Sequence, residues 1–262
     1  MVAVQVLRHP DALAAALRLV GTVLRDFFVL QFAARLGLRR IPVVSVDHPL
    51  DATVPFRPES VGVYLDFIAF WIRPLADVRR RFGASAQLRA AIAFMDLVRR
   101  CYAEAAGVYR QTLSTTRRPR HLKGRFLTIH AFDPHLMCVP SLHVMIVVAT
   151  WVFHRRLDAD LGARVFPGAA AIAESVLLVK QHSVNCIPAA LYALGHLMPG
   201  DLSEADVEAF VAALFADDAA VAPSDAAAIR EHVWSLWQSL QADGANDATW
   251  QPAVLRFLAR LA

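Results

Sequence analysis

Cysteine, glycine, lysine and charge are all scarce in this chain of 262 residues. Its three cysteines, Cys101, Cys138 and Cys186, are widely spaced. This spacing excludes a disulfide framework and a paired-cysteine zinc site, and it fits a reducing compartment such as the cytoplasm. Glycine occurs 11 times, and only two of the 27 basic residues are lysine. Charged residues make up 19% of the chain and apolar ones 56%, a composition that excludes intrinsic disorder.

Alanine is abundant instead, with 46 copies, and it favours helix more than any other residue. No run of residues alternates between apolar and polar as a half-buried strand would. The sequence therefore predicts an all-α fold, a helical bundle over residues 1–200 with a small acidic, alanine-rich helical extension, 201–262, packed on it. The predicted helices are 11–38, 60–82 with a break near Pro74, 85–113, 141–155, about 167–198, 203–217, 224–242 and 248–261. A proline-rich connector, 41–59, and a basic loop, 115–125, lie between them.

The two parts of the chain carry opposite charge. Residues 1–164 hold 23 basic and 12 acidic residues, whereas residues 165–262 hold four basic and 11 acidic ones. The basic residues are not interleaved with aromatic ones, so nucleic acid is not an expected partner.

A mean hydropathy of +0.41 raises the question of a membrane. Two runs, 134–154 and 181–200, lack charged residues for about the length of a membrane span, but prolines, histidines or amides interrupt both. We therefore expect a cytoplasmic protein that is soluble or in peripheral contact with a membrane; an integral inner-membrane protein is the alternative. The first 30 residues do not resemble a secretory signal.

The first chemically informative motif is Pro140-Ser141-Leu142-His143, which opens a strongly apolar helix. Ser141 is a typical N-cap, and the free N–H groups of a first helical turn favour an anion. His143, in that turn, is placed to donate a proton to a leaving group. Taken alone, the motif is more often a helix cap with an incidental histidine.

Two further segments accompany it. Ser175 and His182 are seven residues apart, which on one helix puts them on one face. Arg117-Arg118-Pro119 lies upstream, and arginine side chains beside a helix N-terminus commonly hold phosphate.

In this order, the segments resemble the type 2 phosphatidic acid phosphatase superfamily, which includes lipid phosphate phosphatases and vanadium haloperoxidases. Pro140-Ser141-Leu142-His143 is similar to the variant block of the inositolphosphotransferase-like branch, and Lys180-Gln181-His182 resembles that branch's last block. Val54-Pro55-Phe56-Arg57-Pro58 resembles its opening. The resemblance covers roughly residues 45–195 and implies a helical bundle that needs no metal or other cofactor.

The resemblance also implies roles for individual residues. His182 would attack phosphorus and form a phosphohistidine, and His143 would act as the general acid. The residues that would bind the substrate phosphate are Arg117, Arg118, Ser141, Ser175 and Lys180.

Three positions depart from the family pattern. Gln111 stands where the family has lysine, and Val176 follows Ser175 where most members have arginine. Cys186 replaces the aspartate that orients the nucleophilic imidazole. Asn185 and Cys186 are the candidates to orient the ring here, with Asp66 or Glu174 as alternatives from elsewhere.

We therefore predict a hydrolase acting on a phosphate or diphosphate ester with an apolar tail, such as a lipid or prenyl phosphate. A first alternative is an enzyme that ionises a prenyl diphosphate in the same pocket, because ionisation needs charge stabilisation and no nucleophile. A second is a catalytically degenerate protein that binds a phospholipid or a partner. A vanadate-dependent haloperoxidase is a weaker alternative, because few cations surround the motifs.

Overall fold

The structure, a computed structural model, describes residues 2–216 and 220–262, with side chains from residue 4 onward. Helix accounts for 71% of the residues and strand for 3%, which confirms the predicted all-α bundle. The predicted helix over 203–217 ends inside the described part, and residue 217 lies outside it.

The helices differ widely in length, and most of the long ones follow residue 73. In chain order they are α1 (Val2–Arg8), α2 (Pro10–Val23), α3 (Leu30–Arg35), α4 (Val61–Leu65), α5 (Phe67–Ile72), α6 (Pro74–Tyr109), α7 (Phe126–Phe132), α8 (Leu142–Leu157), α9 (Ala159–Leu178), α10 (Cys186–Leu197), α11 (Glu204–Ala213), α12 (Pro223–Asp243) and α13 (Gln251–Leu261). Two strands, β1 (Val43–Ser45) and β2 (Leu113–Thr115), pair in parallel.

The centre of the bundle is α8, which packs against α5, α6, α9 and α10. It is apolar on nearly every side, as expected of a helix surrounded by other helices. Asp158 lies between α8 and α9 and is the N-cap of α9, because its carboxylate accepts the N–H of Leu161 at 3.1 Å. Gly162 permits the tight hairpin, since a Cβ there would lie 2.4 Å from the Cβ of Arg155.

The N-terminal arm is one long helical segment, as predicted for 11–38, but it contains a π-helical turn at Leu24–Val29. Within that turn the carboxylate of Asp26 is buried and paired with Arg25 and Arg110. The arm packs on α6 through α2. The predicted break near Pro74 is confirmed, and α6 bends at Gly83, whose φ is 86°.

Two predictions about secondary structure are wrong. A short sheet exists, which the sequence did not indicate, because each strand has three residues and its partner lies 70 positions away. The predicted helix over about 167–198 is two helices, since α9 ends at Leu178 and α10 begins at Cys186, and α9 already begins at Ala159. Lys180, in the loop between them, has a φ of 55°, which a continuing helix does not allow.

The C-terminal extension begins as predicted, with a capping box at Ser203 and Asp206. Its helix α12 packs against α10, and its buried side chains join the same hydrophobic cluster as α8 and α9. The two parts of the chain therefore share one core.

One helix of the described residues, α9, is long and apolar enough to cross a membrane. Its most apolar stretch is 61% buried inside the protein.

Candidate functional site

Two loops meet at the N-terminal end of α8 and form the candidate site. The first runs over 138–141, where the hydroxyl of Tyr109 donates to the Pro140 carbonyl at 2.5 Å and the Val139 N–H donates to Ser114 Oγ at 2.7 Å. The second, 179–185, is tied to it by the Cys138 thiol, which donates to the Gln181 carbonyl at 3.7 Å. These bonds fix both loops on α6 and β2.

Ser141 and His182 lie side by side across the two loops. Ser141 is the N-cap of α8, and its Oγ accepts the Val144 N–H at 3.3 Å. His182 Nε2 is 3.3 Å from Ser141 Oγ, and His182 Nδ1 is 3.2 Å from the Cys138 carbonyl oxygen. A carbonyl only accepts, so Nδ1 carries the proton and Nε2 keeps its lone pair.

His143 completes the histidine pair. It lies in the first turn of α8, between the rings of Tyr64 at 4.6 Å and Phe67 at 4.5 Å, with its centroid 5.7 Å from that of His182. Neither ring nitrogen has a hydrogen-bond partner among the described residues, so both stay available to a ligand.

Both imidazoles are held in the neutral form. Burial, and then the neighbouring His182, lower the pKa of His143 from 6.5 to about 3. Burial lowers the pKa of His182 to about 4, although its bond to the Cys138 carbonyl acts in the opposite direction. A neutral imidazole is a nucleophile or a base through its Nε2 lone pair, which for His182 faces the Ser141 hydroxyl at 3.3 Å.

The histidine pair faces a cavity of about 40 Å³, room for only a few water molecules. Both polar and apolar side chains line it. The lining residues are Phe27, Phe67, Tyr102, Asp133, His135, Met137, Cys138, Leu142, His143, Gln181 and His182.

The polar residues that line the cavity include two that the sequence motifs did not reveal. Asp133 accepts the His135 N–H at 2.8 Å, and burial raises the pKa of its carboxyl. His135 Nε2 lies 3.2 Å from the Thr116 carbonyl oxygen, and burial lowers the pKa of this imidazole to about 3. The short segment Asp133-Pro134-His135 precedes the Pro140 motif by a few residues, and this grouping of polar residues is the only sequence signal for them.

Arg118 lies next to these polar residues. Its guanidinium donates to Gln181 Oε1 at 3.1 Å and to the Asp133 carbonyl at 3.3 Å. Both of those residues line the cavity. Arg118 therefore contacts two residues that line the cavity, although it is not itself a lining residue.

Three other predicted phosphate ligands lie elsewhere. Arg117 is exposed and pairs with Asp47. The Lys180 ammonium donates to the carbonyl of Asp51 at 2.5 Å and to that of Val54. Ser175 donates to the carbonyl three residues before it at 2.7 Å. Because α9 ends before His182, Ser175 and His182 do not share a helix face.

Asn185 and Cys186 do not contact the His182 ring through any described hydrogen bond. Asn185 donates to the Val46 carbonyl at 3.1 Å and accepts from His232 at 2.8 Å. The Cys186 sulfur accepts the Ser183 N–H at 3.3 Å. The Cys138 carbonyl orients His182 instead, a role that no motif indicated because any residue can supply a carbonyl.

A second, larger space adjoins the cavity. It is an apolar groove of about 370 Å³ between the N-terminal arm, α5 and α6. Three aromatic side chains, Phe27, Phe67 and Tyr102, line both the groove and the cavity. The groove is further lined by Leu19, Val20, Val23, Leu24, Phe28, Ile68, Trp71, Val98 and Ile146.

Ligands for a resident metal are not grouped in this site. Within residues 2–216 and 220–262, no cluster of three or more His, Cys, Asp or Glu side chains is arranged to hold a metal ion.

No protein-family model, no curated protein and no solved structure matches this chain.

Proposed function

We propose that this protein hydrolyses a phosphate or diphosphate ester whose alcohol is an apolar chain. The observation that carries the proposal is the arrangement of His182 and His143 on a small polar cavity that adjoins an apolar groove. The cavity would take the reacting phosphate, and the groove would take the hydrocarbon.

In the first step, His182 Nε2 attacks phosphorus, so that an N–P bond forms and the ester P–O bond breaks. The leaving oxygen takes a proton from His143. Water then cleaves the N–P bond, releases inorganic phosphate and restores both imidazoles. The Cys138 carbonyl holds His182 in the required tautomer throughout.

His143 needs a proton for this step, although its pKa is about 3 in the free protein. A phosphate dianion beside the ring favours the charged imidazolium and raises that pKa. Substrate binding and proton uptake by His143 are therefore coupled. Arg118 and the N–H groups of the first turn of α8 supply positive potential that favours the phosphate anion, although it opposes the charge on His143.

A carbonyl dipole stabilises an imidazolium less than a carboxylate does. Phosphoryl transfer through His182 is therefore slower than in a protein in which an aspartate carboxylate, instead of a carbonyl, bonds to this imidazole.

Two observations favour a second candidate. Among the described contacts, no carboxylate bonds to His182, and three aromatic side chains line the cavity. Phe27, Phe67 and Tyr102 line the cavity, and aromatic ring faces stabilise cations. In that case the protein would bind a prenyl diphosphate and expel diphosphate. Rearranged hydrocarbon and inorganic diphosphate are the products of this reaction, whereas hydrolysis gives an intact alcohol.

The test measures release of phosphate from a long-chain alkyl phosphate by the wild type and by His182→Ala and His143→Ala variants. We expect each substitution to lower kcat about 100-fold or more, the usual contribution of a positioned acid, base or nucleophile. Denaturation at alkaline pH during turnover of labelled substrate should trap acid-labile label on the wild type and none on His182→Ala.

His196→Ala is the matched control, since His196 lies on the exposed side of α10, outside the cavity. A melting curve for each variant, with His182→Gln as a second substitution, separates lost chemistry from lost folding. Equal rates in wild type and folded His182 variants would rule out this mechanism, and rates no higher than the uncatalysed background would leave binding without catalysis.

A further inference from the structure

The exposed side of the N-terminal arm carries a row of large apolar side chains. Leu17, Val20 and Leu24 follow one another at helical spacing, and they are 63%, 53% and 52% exposed. Ile68 of α5 is 60% exposed. We name these four residues the apolar rim.

Three of the four residues of the apolar rim belong to the groove. Val20, Leu24 and Ile68 line the groove as well as facing solvent, so the three side chains lie together around one mouth. Single exposed apolar residues are ordinary on a protein surface, but a contiguous patch that leads into a groove marks a binding surface.

The charge of the arm indicates what binds there. Six exposed arginines lie on it: Arg8, Arg18, Arg25, Arg35, Arg39 and Arg40. Of its two acids, Asp11 is exposed, and Asp26 is buried and paired with Arg25 and Arg110. At the end of the arm, Leu36 and Leu38 are 70% and 76% exposed among the last three arginines.

Exposed apolar side chains and exposed arginines on one arm match the surface of an anionic lipid bilayer. The leucines enter the boundary between headgroups and acyl chains, and the guanidinium groups pair with headgroup phosphates. The opposite face of the arm is occupied by the core, through Ala12, Ala15 and Leu19. The arm is therefore suited to lie in the plane of a membrane rather than to cross it.

We infer that the N-terminal arm and Ile68 form a docking surface for an anionic membrane, with the mouth of the groove turned toward the lipid. Docking itself does not depend on the proposed hydrolysis. Combined with it, the surface supplies the route by which an apolar-tailed phosphate passes from the bilayer into the groove, with its phosphate toward His182.

The experiment is co-sedimentation of the full chain with vesicles of phosphatidylcholine alone or mixed with phosphatidylglycerol. We expect binding to the mixed vesicles that weakens with added salt. Leu24→Asp should weaken it about tenfold or more, because about one leucine side chain is lost from the lipid. The double variant Arg39→Ser, Arg40→Ser should weaken binding to the vesicles that contain phosphatidylglycerol and leave binding to pure phosphatidylcholine vesicles unchanged.

Leu261→Asp is the matched control, since Leu261 is an exposed leucine at the end of α13 rather than in the apolar rim. No binding of the wild type to either vesicle, or equal binding by folded Leu24→Asp, would overturn the inference. Self-association of the protein in the absence of vesicles would also overturn the inference if Leu24→Asp abolishes it, because a second copy of the chain would then occupy this face. Phosphate release from a short, water-soluble ester reports the chemistry separately, so the two proposals fail independently.

Discussion

The two imidazoles of the candidate site are held by different means, and this determines how each responds to protons. His182 is fixed by a carbonyl on one nitrogen and a hydroxyl on the other. His143, which also lines the cavity, is held by ring packing, and its nitrogens have no hydrogen-bond partner among the described residues. We therefore expect a bound ligand to change the protonation of His143, whereas His182 keeps its position.

The buried histidines make the stability of the protein sensitive to acid. The pKa of His143 is about 3 and that of His182 about 4 in the folded chain, against 6.5 as the ordinary value. As the pH falls below 6.5, the unfolded chain binds protons that the folded chain does not, so the free energy of unfolding decreases down to about pH 4. Above pH 6.5 this contribution is constant.

Urea unfolding at a series of pH values measures the effect. We expect the decrease to be shallower in His182→Gln, because glutamine does not titrate. Identical pH profiles in the variant and the wild type would show that this ring is not kept neutral by folding.

The predicted helix over 167–198 put His182 on a helix, whereas it lies in the loop after α9. Even so, the sequence motifs brought Ser141, His143 and His182 to one place, because all three belong to the same set of resembling blocks. The motifs could not place Arg117 or Lys180. Long cations take whichever acceptors the tertiary structure offers, here the Asp47 carboxylate and two carbonyls of the connector.

At the level of elements, α12 supports the loop that carries His182. His232, on α12, donates from Nε2 to Asn185 Oδ1 at 2.8 Å, and its ring stacks on His48 at 4.0 Å. Asn185 in turn holds the Val46 carbonyl next to β1. The extension is thus linked to the site through one side chain of the loop.

Removing that link should loosen the loop without unfolding the protein. We expect His232→Ala to speed amide hydrogen exchange in residues 179–185 and to lower kcat severalfold, whereas His232→Gln, which keeps an N–H donor, should restore both. Unchanged exchange in the alanine variant would mean that α12 does not position the loop.

The same loop explains why sequence reasoning failed over 167–198. The apolar run contains no glycine between Gly168 and Gly195 and no proline until Pro188, so nothing local requires a break at 179. The break depends on distant contacts, because the Lys180 ammonium reaches Asp51 and Val54 on the connector. The helix caps at Ser141 and Ser203, in contrast, depend only on local pattern and were predictable.

Over the whole molecule, the opposite charges of the two parts meet across their boundary. Arg155 pairs with Asp206, and Arg156 pairs with Asp201 at 2.8 Å. In addition, α12 buries large apolar side chains against the bundle, among them Ile229, Val233, Trp237 and Leu240. The acidic extension therefore covers the bundle and contributes side chains to its core.

A chain ending at residue 200 should not fold stably. Four buried side chains of this size contribute about 6–12 kcal/mol, comparable with the whole stability of a domain. We expect the truncated chain to lack a cooperative thermal transition by circular dichroism, and the full chain to unfold in a single transition. A folded truncated chain would identify residues 1–200 as an independent domain.

The π-helical turn at Leu24–Val29 has a consequence for sequence comparison. A π turn holds one residue more than the α-helical turn it replaces, and it rotates all that follows relative to what precedes it. Here it buries Asp26 and sets Phe27 in the wall between cavity and groove. A homologue with this site should keep the extra residue, whereas one with a single-residue gap there would have a regular helix and no aromatic wall at Phe27.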